Sequence, residues 1–182
     1  MVSRELDARF RDAALRARLV DVRFDVVASP VGELLVAATE RGLCRISYGV
    51  EGGDEALART FGVRVLRTPL DEIRRELDEY FAGRRREFDL PLDLRVAPFH
   101  EAVLRELARV PYGQLETYGA LAAKVGRPRA ARAVGTAMNR NPIPIVLPCH
   151  RVVGADGSLT GYAGGLHVKR ALLELEGATL PL

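Results

Sequence analysis

TYGALAAKVGRPRAARAVGTAMN, residues 117–139, runs directly into RNPIPIVLPCHRVV, residues 140–153. The first segment reads as two short helices. Tyr118–Val125 is ended by Gly126, and Pro128 falls at the first turn of a second helix, Arg129–Asn139. Proline suits a first turn because its missing N–H would have no helical partner there. Two short helices joined by a tight glycine-containing turn make a helix-turn-helix. The second helix is built largely from small residues, Ala130, Ala131, Ala133, Gly135, Thr136 and Ala137. It can approach another surface closely, either a neighbouring helix or a nucleic-acid groove. The second segment is not helical. Pro142, Pro144 and Pro148 remove backbone donors and fix φ, so they stiffen the approach to a single cysteine, Cys149.

Outward from this stretch, Val152–Gly165 is glycine-rich and predicted to turn back as a hairpin, and His167–Glu176 to close as a helix. Upstream, Pro98–Val110 is helical and Pro111-Tyr112-Gly113 stops it. Residues 88–96 read as an extended linker, which places a boundary between an N-terminal domain, 1–96, and a C-terminal domain, 97–182. The N-terminal domain opens with a loose amphipathic helix over 3–19 carrying Leu6, Phe10, Leu15 and Leu19, expected to pack on its own domain. Three β-type runs follow, Val22–Ala28, Glu33–Ala38 and Leu43–Tyr48, with breaks short enough for an antiparallel meander. Asp54–Phe61 reads as a helix and Val63–Leu66 as a strand. Thr68, Pro69 and Asp71 form a capping-box-like start to a helix whose buried face is Ile73, Leu77, Tyr80 and Phe81. The class is α+β.

The chain has 182 residues, 48% hydrophobic and 28% charged, enough apolar material for a core without disulfides. No run is long enough to span a membrane, and the N-terminus lacks the apolar core of a secretory signal, so a cytoplasmic protein is expected. The net charge of +3 is uneven: 10 Lys and Arg against 6 Asp and Glu from Ala97 onward, but 17 against 18 before it. The second half is the better match to a polyanion, although an ordinary solvated surface fits so small an excess equally well. Cys44 and Cys149 lie far apart, and no histidine pair stands at ligand spacing among His100, His150 and His167. No metal and no cofactor are expected.

Most lone cysteines are buried and inert. Cys149 is distinguished by its neighbours, Pro148 before it and His150-Arg151 after it. Only the thiolate attacks well, and nearby positive charge favours it. In an extended strand the side chains of Cys149 and His150 would point to opposite faces, which makes a direct pair awkward and a water-bridged relay easier. His150 would then need an orienting acceptor, and Glu174 and Glu176 on the last helix are both available. A reactive cysteine beside a small-residue helix-turn-helix points to an electrophilic carbon on DNA. Reaching a base inside a duplex requires flipping it, at a cost of a few kcal/mol.

The segment Asn141–Val153 resembles the active-site signature of the O6-alkylguanine-DNA alkyltransferases, the methylated-DNA–protein-cysteine methyltransferases. Pro111-Tyr112-Gly113, Thr117-Tyr118-Gly119, Arg129–Met138, Gly161-Tyr162-Ala163-Gly164-Gly165 and Lys169–Gly177 resemble the family in order and spacing. The likeness covers about residues 97–177, with a weaker echo at Ser29-Pro30-Val31-Gly32 and Gly42-Leu43. It implies a ribonuclease H-like N-terminal domain with a small antiparallel sheet and a winged-helix-like alkyltransferase domain. It implies Cys149 as the alkyl acceptor, activated through water by His150, which Glu176 holds. Asn141 would order the turn before the active-site segment. Tyr118 would crowd the 3′ phosphate and help protonate the leaving guanine. Arg132 would fill the vacated stack, with Ala131, Ala133 and Gly135 making room in the minor groove and Thr117 and Arg127 on the same DNA-facing side. Tyr162 and Ala163 would line the base pocket, and the carbonyls of Cys149 and Val152 would read the exocyclic amine.

The implied partner is double-stranded DNA carrying O6-alkylguanine, met by a monomer and without a membrane; O4-alkylthymine and cooperative binding stay open. Leu115 departs from the family's frequent threonine, and the zinc ligands of some members are absent. The initial helix is longer than in compact members, and no transcription-factor domain accompanies it. Two other readings compete. A damage-binding module of the alkyltransferase-like kind would lack the cysteine, and a Cys–His hydrolase would need multiple turnover and a less awkward pair than Cys149 and His150.

Overall fold

The computed structural model describes residues 4–62 and 64–179. They form two compact units. One runs up to Arg75 and includes Leu90–Asp93; the other takes Glu76–Asp89 and everything from Leu94.

In the first unit, α1 (Arg4–Arg16) precedes a sheet of β1 (Val22–Val27), β2 (Leu34–Thr39), β3 (Gly42–Tyr48) and β4 (Val65–Arg67). The strand order is β3-β2-β1-β4. The meander is antiparallel as its short turns dictate, with Phe24 opposite Ala37 and Val36 opposite Ile46. β4 joins β1 in parallel, because α2 (Gly53–Phe61) intervenes and carries the chain across. All six residues of β2 are buried. Val22, Leu35, Ala37, Cys44 and Leu57 form one core cluster, with Phe24 and Phe61 against it.

Two expectations change here. Leu6, Phe10 and Leu19 are 57%, 66% and 55% exposed, so the apolar side of α1 is not packed away. α3 (Asp71–Phe81) starts two residues after Pro69, and Thr68 donates its amide to Phe24 O, extending the β4 ladder into the position where a cap was expected. Ile73, Leu77 and Tyr80 of α3 are buried as the periodicity requires.

The second unit contains α4 (Pro98–Leu107), α5 (Tyr118–Lys124), α6 (Ala131–Asn139) and α7 (Leu166–Leu175). α5 and α6 form the helix-turn-helix. Thr117 caps α5 by accepting the Ala120 amide at 3.1 Å. α6 begins at Ala131 rather than Arg129, so Pro128 lies in the turn; there the Ala130 amide bonds Arg127 O. Val134, Ala137 and Met138 bury one side of α6. The predicted hairpin after Val152 is replaced by a parallel pair, β5 (Glu116–Thr117) with β6 (Val152–Val153), and by a tight turn closed by Gly154 N to Ser158 O. Two residues per strand leave no sequence alternation to read.

Gly42 shows how closely the chain crosses itself in the first unit. It has φ +136°, and a Cβ there would lie 2.1 Å from Pro91 O. That carbonyl accepts the Leu43 amide, and Asp93 N bonds Leu43 O. Gly42→Ala should therefore cost roughly 1–3 kcal/mol of stability by denaturant unfolding; an unchanged midpoint would show that residues 90–93 yield freely.

Candidate active site around Cys149

Cys149 opens a one-turn 3-10 helix, Cys149–Arg151, at the end of the proline-stiffened segment. The extended geometry expected at Cys149 and His150 is absent, because the Arg151 amide bonds Pro148 O and winds the chain. The approach is held by one side chain. Asn141 Oδ1 accepts the Ile143 amide at 3.0 Å, and its Nδ2 donates to Leu147 O at 2.8 Å and to Cys149 Sγ at 3.1 Å. Ile145 within this loop has φ +76°, a conformation a β-branched residue adopts only when its surroundings impose it.

His150 is fully buried and its Nε2 lies 2.8 Å from Glu176 Oε1. Glu176, not the exposed Glu174, is the acceptor; it caps the C-terminus of α7. Its carboxylate gathers a dense set of donors. Arg151 gives Nε to Oε2 at 2.8 Å and Nη2 to Oε1 at 2.9 Å, a two-point pair. Gly113 N reaches Oε2 at 3.1 Å, and the Tyr80 hydroxyl reaches Oε1 at 2.7 Å. Gly113 has φ +74°, and a Cβ there would lie 2.7 Å from Glu176 O, so the Pro-Tyr-Gly turn needs glycine to sit this close.

The electrostatics follow from this arrangement. Burial pushes the Glu176 carboxyl up, but the bonds and charges of His150 and Arg151 outweigh it and hold it well below the usual range. An ionised carboxylate only accepts, so the proton of neutral His150 sits on Nε2 and the lone pair on Nδ1. Burial, helped by the charges of Arg151 and Lys169, lowers the His150 pKa against the pull of Glu176, so the imidazole is neutral. Nδ1 is buried and has no hydrogen-bond partner among the described residues. Burial also pushes the Cys149 thiol up to about 11, opposed by the Asn141 bond, the Lys169 charge and a Tyr162 hydrogen bond. The group is a held thiol with a base beside it in sequence, rather than a resting thiolate.

The other expected residues fall into three places. Tyr162 meets His150 edge-on, ring centres 6.5 Å apart, while Ala163 is exposed and Val152 buried. Both carbonyls assigned to the base amine already accept one bond, Cys149 O from Val152 N and Val152 O from Lys169 Nζ at 2.6 Å, leaving each a second lone pair. Tyr118 bonds Thr160 Oγ1 at 2.6 Å. Arg132 and Ala133 are exposed on the first turn of α6 and Ala131 is half-buried. Gly135, half-buried like Ala131, lies beside the Tyr118 ring, which a Cβ there would meet at an ordinary 3.9 Å. Thr117 is used as a helix cap, and the Arg127 guanidinium stacks 5.2 Å over Phe99.

Arg151 as the partner of Glu176, Tyr80 and buried Lys169 were not read from sequence as site residues. Lys169 had a signal: with Val168, Leu172, Leu173 and Glu176 it occupies the buried face of the last helix. Its burial lowers its pKa to about 8.

Removing Glu176 would leave Arg151 and His150 buried without their acceptor. Glu176→Ala should cost about 3–5 kcal/mol. Because the folded carboxyl sits below its ordinary 4.5, its contribution is complete above that value and is lost as pH falls through and below it. Unfolding measured from pH 7 to pH 3 should show a steeper loss in the unsubstituted protein than in Glu176→Gln; parallel curves would contradict the assignment.

Known proteins resemble this chain over both of its halves. Residues 22–94 match the family described as 6-O-methylguanine DNA methyltransferase, ribonuclease-like domain, and residues 98–178 its DNA binding domain. A methylated-DNA–protein-cysteine methyltransferase of Methanosarcina barkeri is 41% identical over 84% of this chain and 96% of its own. The constitutive Bacillus subtilis enzyme of that name is 41% identical, over 84% and 94%. A crystal structure of Mycobacterium tuberculosis OGT in complex with DNA superposes with a TM-score of 0.75 at 42% identity, over 85% of this chain and 92% of that one. With both family segments in order and the cysteine, histidine and glutamate assembled as described, the chain belongs to the 6-O-methylguanine DNA methyltransferase family.

Proposed function

We propose that this protein repairs DNA by moving the alkyl group of O6-alkylguanine onto Cys149 and is consumed in doing so. The observation that carries the reading is the Asn141–Cys149 contact next to a neutral His150 locked by Glu176. A thiol near 11 is ionised to only ~10⁻⁴ at pH 7, so proton removal must accompany attack. His150 Nδ1 takes that proton through a bridging water. Sulfur then attacks the alkyl carbon in line, an S–C bond forms, and the C–O bond breaks with its electron pair going to the guanine oxygen. Tyr118 assists protonation of the leaving base. The product is an S-alkylcysteine, and no group near it among the described residues is suited to cleaving that thioether, so each molecule acts once.

DNA is the partner. Duplex binding is mostly to the backbone and weakens with salt. Exposed Arg132 and Ala133, with Ala131 behind them, form the element that enters the minor groove, and Arg132 fills the space of the flipped base. Thr117 supports this element as the α5 cap, Arg127 lies on its flank, and Gly135 keeps the helix surface small. Tyr162, Ala163 and the free lone pairs of the Cys149 and Val152 carbonyls form the base pocket. The protein acts as a monomer, and its two sequence domains, 1–96 and 97–182, differ from the compact units in that residues 76–89 belong to the second unit. No helix among the described residues is long and apolar enough to cross a membrane.

Intact mass after mixing with methylated duplex should show one added methyl, located on Cys149 and absent from Cys149→Ala. A second methyl, or continued turnover, would reject the acceptor reading. Arg132→Ala should slow repair in duplex by roughly 10–100-fold and leave reaction with free O6-methylguanine nearly unchanged; equal losses on both substrates would remove its role in flipping.

A further inference from the structure

Tyr80 is completely buried on the part of α3 that belongs to the second unit, although in sequence it falls in the ribonuclease-like segment. Its hydroxyl donates to Glu176 Oε1, the oxygen that also receives His150 Nε2 and Arg151 Nη2. A carboxylate oxygen offers about two good lone-pair sites, so three donors share them. Charge drawn toward one donor is withdrawn from the others.

We propose that Tyr80 is a positioning residue for alkyl transfer: its hydroxyl limits how strongly Glu176 holds the His150 Nε2 proton, and so keeps Nδ1 unprotonated and able to act as base. The proposal rests on His150 being the base, as read above. Burial and the charge of Glu176 push the phenol far above its ordinary range, so Tyr80 remains a donor at every working pH. The charged and titratable groups around it are few. Glu176 comes from the end of α7, His150 and Arg151 from the 3-10 turn, and Tyr112 from the turn after α4, its ring 6.1 Å from that of Tyr80. Lys169 of α7 acts on His150 from the other side. On its own helix Glu76 and Glu79 are both held by Arg85. None of these substitutes for the phenol at Oε1.

A packing role is separable from this one. The ring of Tyr80 lies against Phe81 at 5.3 Å and Phe88 at 5.4 Å, contacts that phenylalanine would keep. Tyr80→Phe therefore removes the donor and little else. The carboxylate then concentrates its charge on His150 and Arg151, which favours the imidazolium.

The protein has three histidines, so ring-nitrogen NMR can follow His150 directly once His100 and His167 are identified by substitution. In Tyr80→Phe the His150 midpoint should rise by roughly half to one pH unit, and the low-pH limb of the methyl-transfer rate should move with it. Incorporating 3-fluorotyrosine at Tyr80 makes a stronger donor and should move both in the opposite direction. A purely structural tyrosine predicts no such opposed pair. An unmoved His150 midpoint, or shifts of the same sign, would overturn the proposal, and the fluorotyrosine arm decides it alone if Tyr80→Phe does not fold. Failure of the unsubstituted protein to take up a methyl would overturn the acceptor reading instead, and mass detects that independently of the titration.

Discussion

Glu176 is a buried carboxylate that accepts hydrogen bonds from Tyr80, Gly113, His150 and, twice, Arg151. Taking a carboxylate out of water costs several kcal/mol, and the guanidinium of Arg151 offsets this only in a two-point geometry with every other lone pair satisfied. Much of the second unit is arranged around that requirement. The Pro111-Tyr112-Gly113 turn must come close enough for its amide to donate, which is why position 113 has no Cβ. Arg151 must lie beneath the carboxylate, and its Nη1 is spent on Val110 O at 2.6 Å. Tyr112 is gripped by Arg86 and Arg151 and bonds Leu175 O. The end of α7, the 3-10 turn and the turn after α4 are thereby joined through one charged group.

The chemistry follows from the same constraint. A fully engaged Glu176 fixes the tautomer of His150 and leaves Nδ1 as the basic atom. Cys149 is positioned from the other direction by Asn141, which ties the ends of a strained proline-rich loop together. The two supports are independent: one orients His150, the proposed base, and the other Cys149, the proposed acceptor. A resting thiolate in so apolar a site would be expensive, so the thiol stays protonated and is activated only as it reacts. That suits an acceptor used once, which gains nothing from general reactivity toward other electrophiles.

The parts of this site that the sequence made legible are those with short-range causes. Three prolines before Cys149 forbid helix, small residues over 130–137 mark an exceptional helix surface, and β-type runs with short breaks over 22–48 mark the meander. What it misplaced has equally physical reasons. The 3-10 turn at Cys149–Arg151 looked extended because a one-turn helix has no periodicity. The segment after Val152 looked like a hairpin because its glycines permit one, but its strand pairs with residues far upstream at Glu116–Thr117. Amphipathic α1 was expected to bury its apolar side, and nothing in a 13-residue pattern says whether a surface waits to receive it.

The sequence by itself determined the two-part α+β organisation, the helix-turn-helix, the delivery of one cysteine on a stiff segment and the family that this combination marks. These depend on local propensity, on proline and glycine stereochemistry and on motifs read in order. The family likeness named Glu176 over Glu174 as the partner of His150, and only the tertiary structure decided that Arg151 neutralises that carboxylate. It alone brought the Tyr80 hydroxyl, 96 residues away in the chain, to the same carboxylate oxygen. Side chains of like chemistry two residues apart on a helix differ only in the direction they face. Which one is buried against a charge is fixed by packing, and packing joins residues whose separation in sequence carries no signal.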